Sequence, residues 1–254
     1  MTSDLERRCD LLRSLHVPGE PLVLPNAWDA ASARAVVAAG FPVVATTSGG
    51  VAAALGYEDH EGAPGDEMLA AAARIARSVD VPVTVDAEAG YGLEPAELVA
   101  ALERAGAAGC NLEETDHAAG TLRDPREHAA WLREVREAGY GLVINARIDV
   151  FLGGGEQREL VPDALRRAHA YAEAGADCVF PILLSEPDAL AAFMAEAPGP
   201  VNVLATPRVP SLHQLAELGV ARVSYGSLLH RQSLEQLASA LDSIAAAFRP
   251  RRLG

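Results

Sequence analysis

The sequence predicts a (β/α)8 barrel, and two observations carry that reading. Short runs of β-branched and apolar residues alternate eight times with longer helical stretches along the 254 residues, and regular alternation of this kind forces parallel strands with right-handed crossovers. A helix-stop pair also recurs ahead of strands, as Ala39-Gly40, Ala105-Gly106, Ala138-Gly139, Ala174-Gly175 and Leu218-Gly219, glycine being the usual residue just past a helix C-terminus. Eight repeats at this length fit a closed barrel. A doubly wound open sheet is the alternative, but no Gly-rich phosphate fingerprint follows the first strand. No linker or shift in composition divides residues 1–254, so one domain is expected.

Taken in order, residues 4–16 form an amphipathic helix closed by Val17-Pro18-Gly19. Pro21 to Pro25 is the first strand and ends at Asn26-Ala27-Trp28-Asp29; Ala30 to Ala39 is helical. Phe41 to Ala45 is the second strand, running into Thr46-Thr47-Ser48-Gly49-Gly50. Val51 to Gly65 reads as a long irregular connection, which points to a functional loop. Asp66 to Ser78 is helix and Val81 to Asp86 the third strand. The pattern repeats with helix Glu97–Ala105 and strand Gly109–Leu112, then helix Arg126–Ala138 and strand Leu142–Ala146. Pro162 suits the first position of a helix to Ala174, followed by strand Asp177–Pro181. Helix Pro187–Ala195, strand Val201–Leu204, helix Ser211–Leu218 and strand Ala221–Tyr225 follow, and a last helix spans about 227–248.

Composition narrows the function. A net charge of −14 argues against nucleic acid or an anionic membrane as partner. Arg7-Arg8 and Arg249 to Arg252 are short terminal clusters, and no basic patch shows. Cys9, Cys110 and Cys178 are odd in number and show no motif spacing, so they read as small buried hydrophobes. Asp4, Glu6, Arg7 and Arg8 stand where a secretory peptide needs an apolar core, and no apolar run reaches the ~18 residues of a membrane span. A soluble cytoplasmic protein is expected.

Catalytic groups in such barrels gather at the C-terminal ends of the strands. Strand three ends on Asp86 and Glu88, and strand four on Glu113 and Glu114. Four acids from adjacent strand ends repel unless a cation joins them. With no Cys or His among them, a hard divalent ion, Mg2+ or Mn2+, is the expected occupant. Arg147 ends strand five, and its forked guanidinium suits a carboxylate or phosphonate. Ser48-Gly49-Gly50 can offer backbone N–H groups to a second anionic group. The sum is a pocket for a small metal-bound dianion. Each member also has a plain structural explanation: a helix cap for Asp86 and Glu88, a solvated loop for Glu113-Glu114, an ion pair with Asp149 or Glu113 for Arg147, and packing for Trp28.

The runs Asn26-Ala27-Trp28-Asp29, Ser48-Gly49-Gly50-Val51-Ala52, Asp86-Ala87-Glu88-Ala89-Gly90-Tyr91-Gly92, Asn111-Leu112-Glu113-Glu114 and Asn145-Ala146-Arg147-Ile148-Asp149 resemble the isocitrate lyase/phosphoenolpyruvate mutase superfamily, with likeness from about Leu22 to Leu237. The resemblance implies a magnesium site served by Asp86, Glu88 and Glu113, directly or through water. It implies that Ser48, Gly49, Gly50 and Arg147 hold the substrate carboxylate beside Trp28. Asp59 matches the position at which the mutase and phosphonopyruvate hydrolase carry an Asp with a nucleophilic or orienting role.

One departure stands out. The lyases carry a lid with a Lys-(Lys/Arg)-Cys-Gly-His motif, whereas Thr115 to Pro125 here holds neither Cys nor Lys. A short-lid branch of the superfamily is therefore expected, with His117 as the nearby group able to move a proton near neutrality. The resemblance implies a magnesium-dependent lyase or decarboxylase that cleaves a C–C bond of a small 2-oxo or 2-hydroxy (di)carboxylate through an enolate. C–P chemistry through Asp59 is the alternative, and a non-catalytic metabolite-binding barrel a third reading. Leu234, Leu237, Leu241 and Ile244 line one face of the last helix. Since the family exchanges this helix within tetramers, a homo-oligomer is implied.

Overall fold

The computed structural model describes residues 3–248; the Arg249–Arg252 cluster lies outside them. Short β-branched runs make the strands and Ala/Leu-rich runs the helices, as their propensities direct. The first predicted strand appears as β1 (Leu22–Leu24) and β2 (Asn26–Ala27), separated at Pro25, which has no N–H to give the ladder. Then come β3 (Val44–Thr46), β4 (Val83–Asp86) and β5 (Gly109–Glu113). A small antiparallel hairpin, β6 (Thr115–Asp116) with β7 (Thr121–Leu122), follows. Strands β8 (Val143–Ile148), β9 (Cys178–Pro181), β10 (Asn202–Leu204) and β11 (Arg222–Ser224) complete the set.

The named strands other than the hairpin pair in parallel and run in two arcs, β2-β3-β4-β5-β8-β9 and β1-β11-β10. A single parallel bridge, Val179 to Val201, lies between β9 and the start of β10. This is the α/β architecture of the TIM-barrel type. Between the strands run α2 (Ala30–Ala38), α3 (Ser48–Leu55), α4 (Gly65–Ala76), α5 (Pro95–Ala105), α6 (Pro125–Ala138), α7 (Gln157–Glu173), α8 (Pro187–Glu196) and α9 (Leu212–Glu217). The core beneath them is mostly Ala, Val, Leu and Ile, and Cys9, Cys110 and Cys178 are all buried and unpaired.

Helix α1 (Asp4–Ser14) opens on a capping box between Ser3 and Glu6, which satisfies two otherwise orphaned N–H groups. It buries Cys9 and Leu12 against Leu22, Val43, Ala108 and Val143, at or just before the starts of their strands, and so covers the end of the sheet away from the acids. Among the described residues no helix is long and apolar enough to cross a membrane.

Two expectations are corrected. The stretch from Val51 to Gly65 is not irregular throughout: Ser48–Leu55 is helical, with Gly56 as a left-handed stop at φ +91°. Helix α7 starts at Gln157, so Pro162 lies inside it. Gln157 anchors the earlier start, its side chain accepting from the N–H groups of Ser185 and Glu186 and donating to the Leu183 carbonyl.

The last helix, α10 (Leu228–Ala247), buries only its first turn, at His230. From Arg231 to Phe248 every residue is exposed, including Leu237 at 54 % and Ile244 at 64 %. It does not pack along its own sheet.

Candidate active site

The strand-three acids are fixed before any ligand arrives. The Asp86 N–H donates to Thr46 Oγ1 at 2.8 Å, while its carboxylate accepts from the Ser48 N–H at 3.0 Å and Asn111 Nδ2 at 3.3 Å. Beyond it the chain turns sharply, with Glu88 at φ +48°, a left-handed conformation that costs a non-glycine residue roughly 1 kcal/mol. Two hydrogen bonds hold that turn. The Glu88 carbonyl accepts from the Glu113 N–H at 2.9 Å, and the Glu88 carboxylate from the Glu61 N–H at 2.6 Å. Burial, then the charges of Asp86, Asp59 and Glu113, pushes the Glu88 carboxyl up to about 7, against the pull of the Glu61 N–H.

Strand β5 splits its two acids between faces, because successive side chains on a strand point opposite ways. Glu113 points to the mouth, paired with Arg147 and with His117 Nε2. Burial raises its pKa while these two partners lower it. Glu114 points outward, against the expectation of four acids at one mouth. It is fully buried between β5 and α7, paired with Arg167 at 2.7 Å and accepting from the Tyr171 hydroxyl.

Arg147 at the end of β8 is nearly fully buried. Its Nε donates to Asp149 Oδ1 at 2.6 Å and its Nη2 to Asp149 Oδ2 at 3.3 Å. Desolvation works against its charge, and Asp149 and Glu113 more than offset that. Both ion-pair partners considered from the sequence are thus engaged. A guanidinium has five N–H donors, so it keeps donors to spare for a ligand.

His117 sits in the hairpin turn with its ring 5.3 Å from that of His60; the hydrogen bond with Glu113 raises its pKa. Ser48-Gly49-Gly50 is the first turn of α3. Val51 N–H makes the first bond back, to the Thr47 carbonyl at 3.0 Å, so the Gly49 and Gly50 N–H groups precede the helical ladder, as at every helix start. Asp59 lies against Gly49: a methyl group there would come within 2.6 Å of Asp59 Oδ2 and 2.9 Å of Ser227 Oγ. Asp59 Oδ1 is buried without a hydrogen-bond partner. Trp28 flanks α3 on the other side, edge-on to His230 at 5.0 Å, and borders an apolar cleft rather than touching the acids.

Comparisons with known proteins give the chain its family. The family model for phosphoenolpyruvate phosphomutase matches residues 12–245. The chain belongs to that family. Within the isocitrate lyase/phosphoenolpyruvate mutase superfamily it is 32 % identical to the phosphoenolpyruvate phosphomutase of Streptomyces hygroscopicus, over 82 % of this chain and 70 % of that one. It is 34 % identical to a Corynebacterium glutamicum protein named probable 2-methylisocitrate lyase 2, over 94 % and 81 %. A solved structure from Burkholderia cenocepacia J2315 matches with a TM-score of 0.88 at 44 % identity, covering 93 % of this chain and 99 % of that one.

A phosphoenolpyruvate mutase-family site with magnesium fits the donors present. The mouth carries carboxylate oxygens and no thiolate, the Glu88 carboxyl is pushed up by burial and then by neighbouring acids, and Asp59 has a buried oxygen without a partner. Among the described residues no three His, Cys, Asp or Glu side chains stand close enough to cage an ion by themselves.

Sequence reasoning missed Glu61, whose carboxylate accepts from the Tyr91 N–H at 2.6 Å and so ties the Asp59 loop to the Glu88 turn. It also stopped short of Ser227, bonded to Thr47 Oγ1 at 2.8 Å. Ser227 stands only three residues past the end of β11, so its place in the loop beyond a strand end was a usable signal. Nothing in the sequence marks Glu61 among the loop acids.

Proposed function

We propose that this protein is a magnesium-dependent lyase or decarboxylase that breaks a C–C bond of a small 2-oxo or 2-hydroxy (di)carboxylate by way of a pyruvate-type enolate. The supporting observation is the convergence of Asp86, Glu88 and Glu113 with Arg147 and the start of α3 at one end of the parallel strands. Asp86, Glu88 and Glu113 would hold the metal, in part through water. Bound there, magnesium supplies a Lewis acid beside the developing enolate oxygen. The spare N–H groups of Arg147 and those of Gly49 and Gly50 take the substrate carboxylate and orient it. Trp28 and the hairpin narrow the access of water. His117, its proton affinity raised by Glu113, is placed to deliver or remove a proton.

Asp59 supports a second reading, C–P bond chemistry, because its Oδ2 lies against the α3 start while its Oδ1 is buried without a partner. Phosphorus NMR of protein incubated with phosphonopyruvate and Mg2+ separates the two. An unchanged spectrum, together with turnover in a screen of 2-oxo acids, is the expected result; new phosphorus signals would establish the second reading instead.

The same reading takes the two arcs as one closed (β/α)8 barrel and the chain as one domain. The Val179–Val201 bridge supports it, as does the single residue, Pro25, between β1 and β2. It also takes α10 as exchanged between subunits of a homo-oligomer. Its bare Leu234, Leu237, Leu241 and Ile244 match an apolar cleft of about 630 Å3 lined by Val23, Trp28, Ala35, Val36, Phe41 and Leu229.

A further inference from the structure

Glu114, Arg167 and Tyr171 form a buried polar cluster on the outer side of β5, on the opposite face of the strand from the acids at the mouth. A buried ion pair is a poor device for stability, since well-packed apolar residues often do as well or better. Its contacts give it another task. The last register pair between β5 and β8 is Glu113 with Arg147; past it the chain of β5 leaves the sheet for the hairpin. The Asp149 N–H therefore meets a side chain, Glu114 Oε1, at 2.9 Å. Glu114 Oε2 is held from behind by Arg167 Nη1 at 2.7 Å and by the Tyr171 hydroxyl. Arg167 is itself steered by Asp163 Oδ2 at 3.2 Å and the Arg123 carbonyl at 3.3 Å. On its other side Asp149 grips Arg147 through both carboxylate oxygens and accepts from the Thr115 hydroxyl.

We propose that Glu114, Arg167 and Tyr171 are positioning residues that brace Asp149 and thereby fix the Arg147 guanidinium for an incoming carboxylate. The chain of contact runs from helix α7, through one carboxylate and one backbone N–H, to a side chain at the mouth. It rests on the reading of Arg147 as the carboxylate clamp, and it adds residues that touch no ligand. A misplacement of about 1 Å at such a clamp can cost on the order of 10²-fold in rate, so a stiff support behind it has a function.

The test uses Arg167→Met, Arg167→Lys and Tyr171→Phe, with Arg147→Met as control. Two readouts are taken: water exchange of the Arg147 Nε–H by nitrogen-15 NMR, and oxalate affinity by calorimetry at saturating Mg2+. Arg167→Met is expected to speed Nε–H exchange and weaken oxalate, each by about tenfold, and Tyr171→Phe to do so more weakly. Arg167→Lys restores most of both. Unchanged Nε–H exchange in folded Arg167→Met overturns the brace, whatever oxalate does. Faster exchange with oxalate binding unaltered, in that variant and in Arg147→Met, upholds the brace and refutes the clamp reading. Should Arg167→Met fail to fold, Tyr171→Phe with native exchange rates overturns the brace equally.

Discussion

His128 shows how a single residue ties stability to pH. It is fully buried on α6, stacked on Trp131 and edge-on to Tyr171, with neither ring nitrogen hydrogen-bonded. Burial, and then Arg123, lowers its pKa from 6.5 to about 3. Between those values the unfolded chain binds a proton that the folded chain refuses, so stability is complete above pH 6.5 and declines as the pH falls toward 3. In His128→Leu the loss of unfolding free energy between pH 7.5 and pH 5 should shrink by about 2 kcal/mol, as urea titrations at the two pH values would show. Glu88 illustrates the opposite balance. Its left-handed backbone and crowded carboxylate are costs that the fold accepts at the mouth, where strain of this kind gathers.

At the scale of elements, the strand ends were legible because a run of β-branched residues that stops on acids is a local pattern. Asp86, Glu88, Glu113 and Arg147 stand where that pattern put them. The facing of Glu114 followed from strand alternation and could have been read; adjacency to Glu113 obscured it. Helix α3 was not legible. Gly49-Gly50 lowers helix propensity, and the need for those glycines arises mostly from residues elsewhere in the chain, Asp59 and Ser227 beside Gly49 and Trp28 beside Gly50, with only Thr47 close in sequence. Gly49→Ala tests that account. The added methyl must displace Asp59 or Ser227, so kcat/KM on the substrate found by screening should fall by roughly 10²-fold. The thermal midpoint should move by only a few degrees, because the site and not the core is disturbed. A variant with native kcat/KM would show that Asp59 does not need its present place.

At the scale of the whole molecule, α10 leaves the chain with an apolar face that its own sheet does not cover. Patches of that kind mark interaction sites. If α10 is exchanged between subunits as proposed, Leu237→Lys with Leu241→Lys should yield monomers, read by light scattering at micromolar concentration; a wild-type monomer would end the idea of exchange. The root of that helix is not remote from chemistry. Ser227 bonds the Thr47 hydroxyl, and His230 lies against Trp28, both beside the start of α3. Whatever holds the outer turns of α10 therefore also steadies the floor on which a substrate would rest. If α10 is exchanged between subunits as proposed, specific activity should depend on protein concentration: on dilution below the dissociation constant of that assembly, turnover per chain should fall before any chain unfolds.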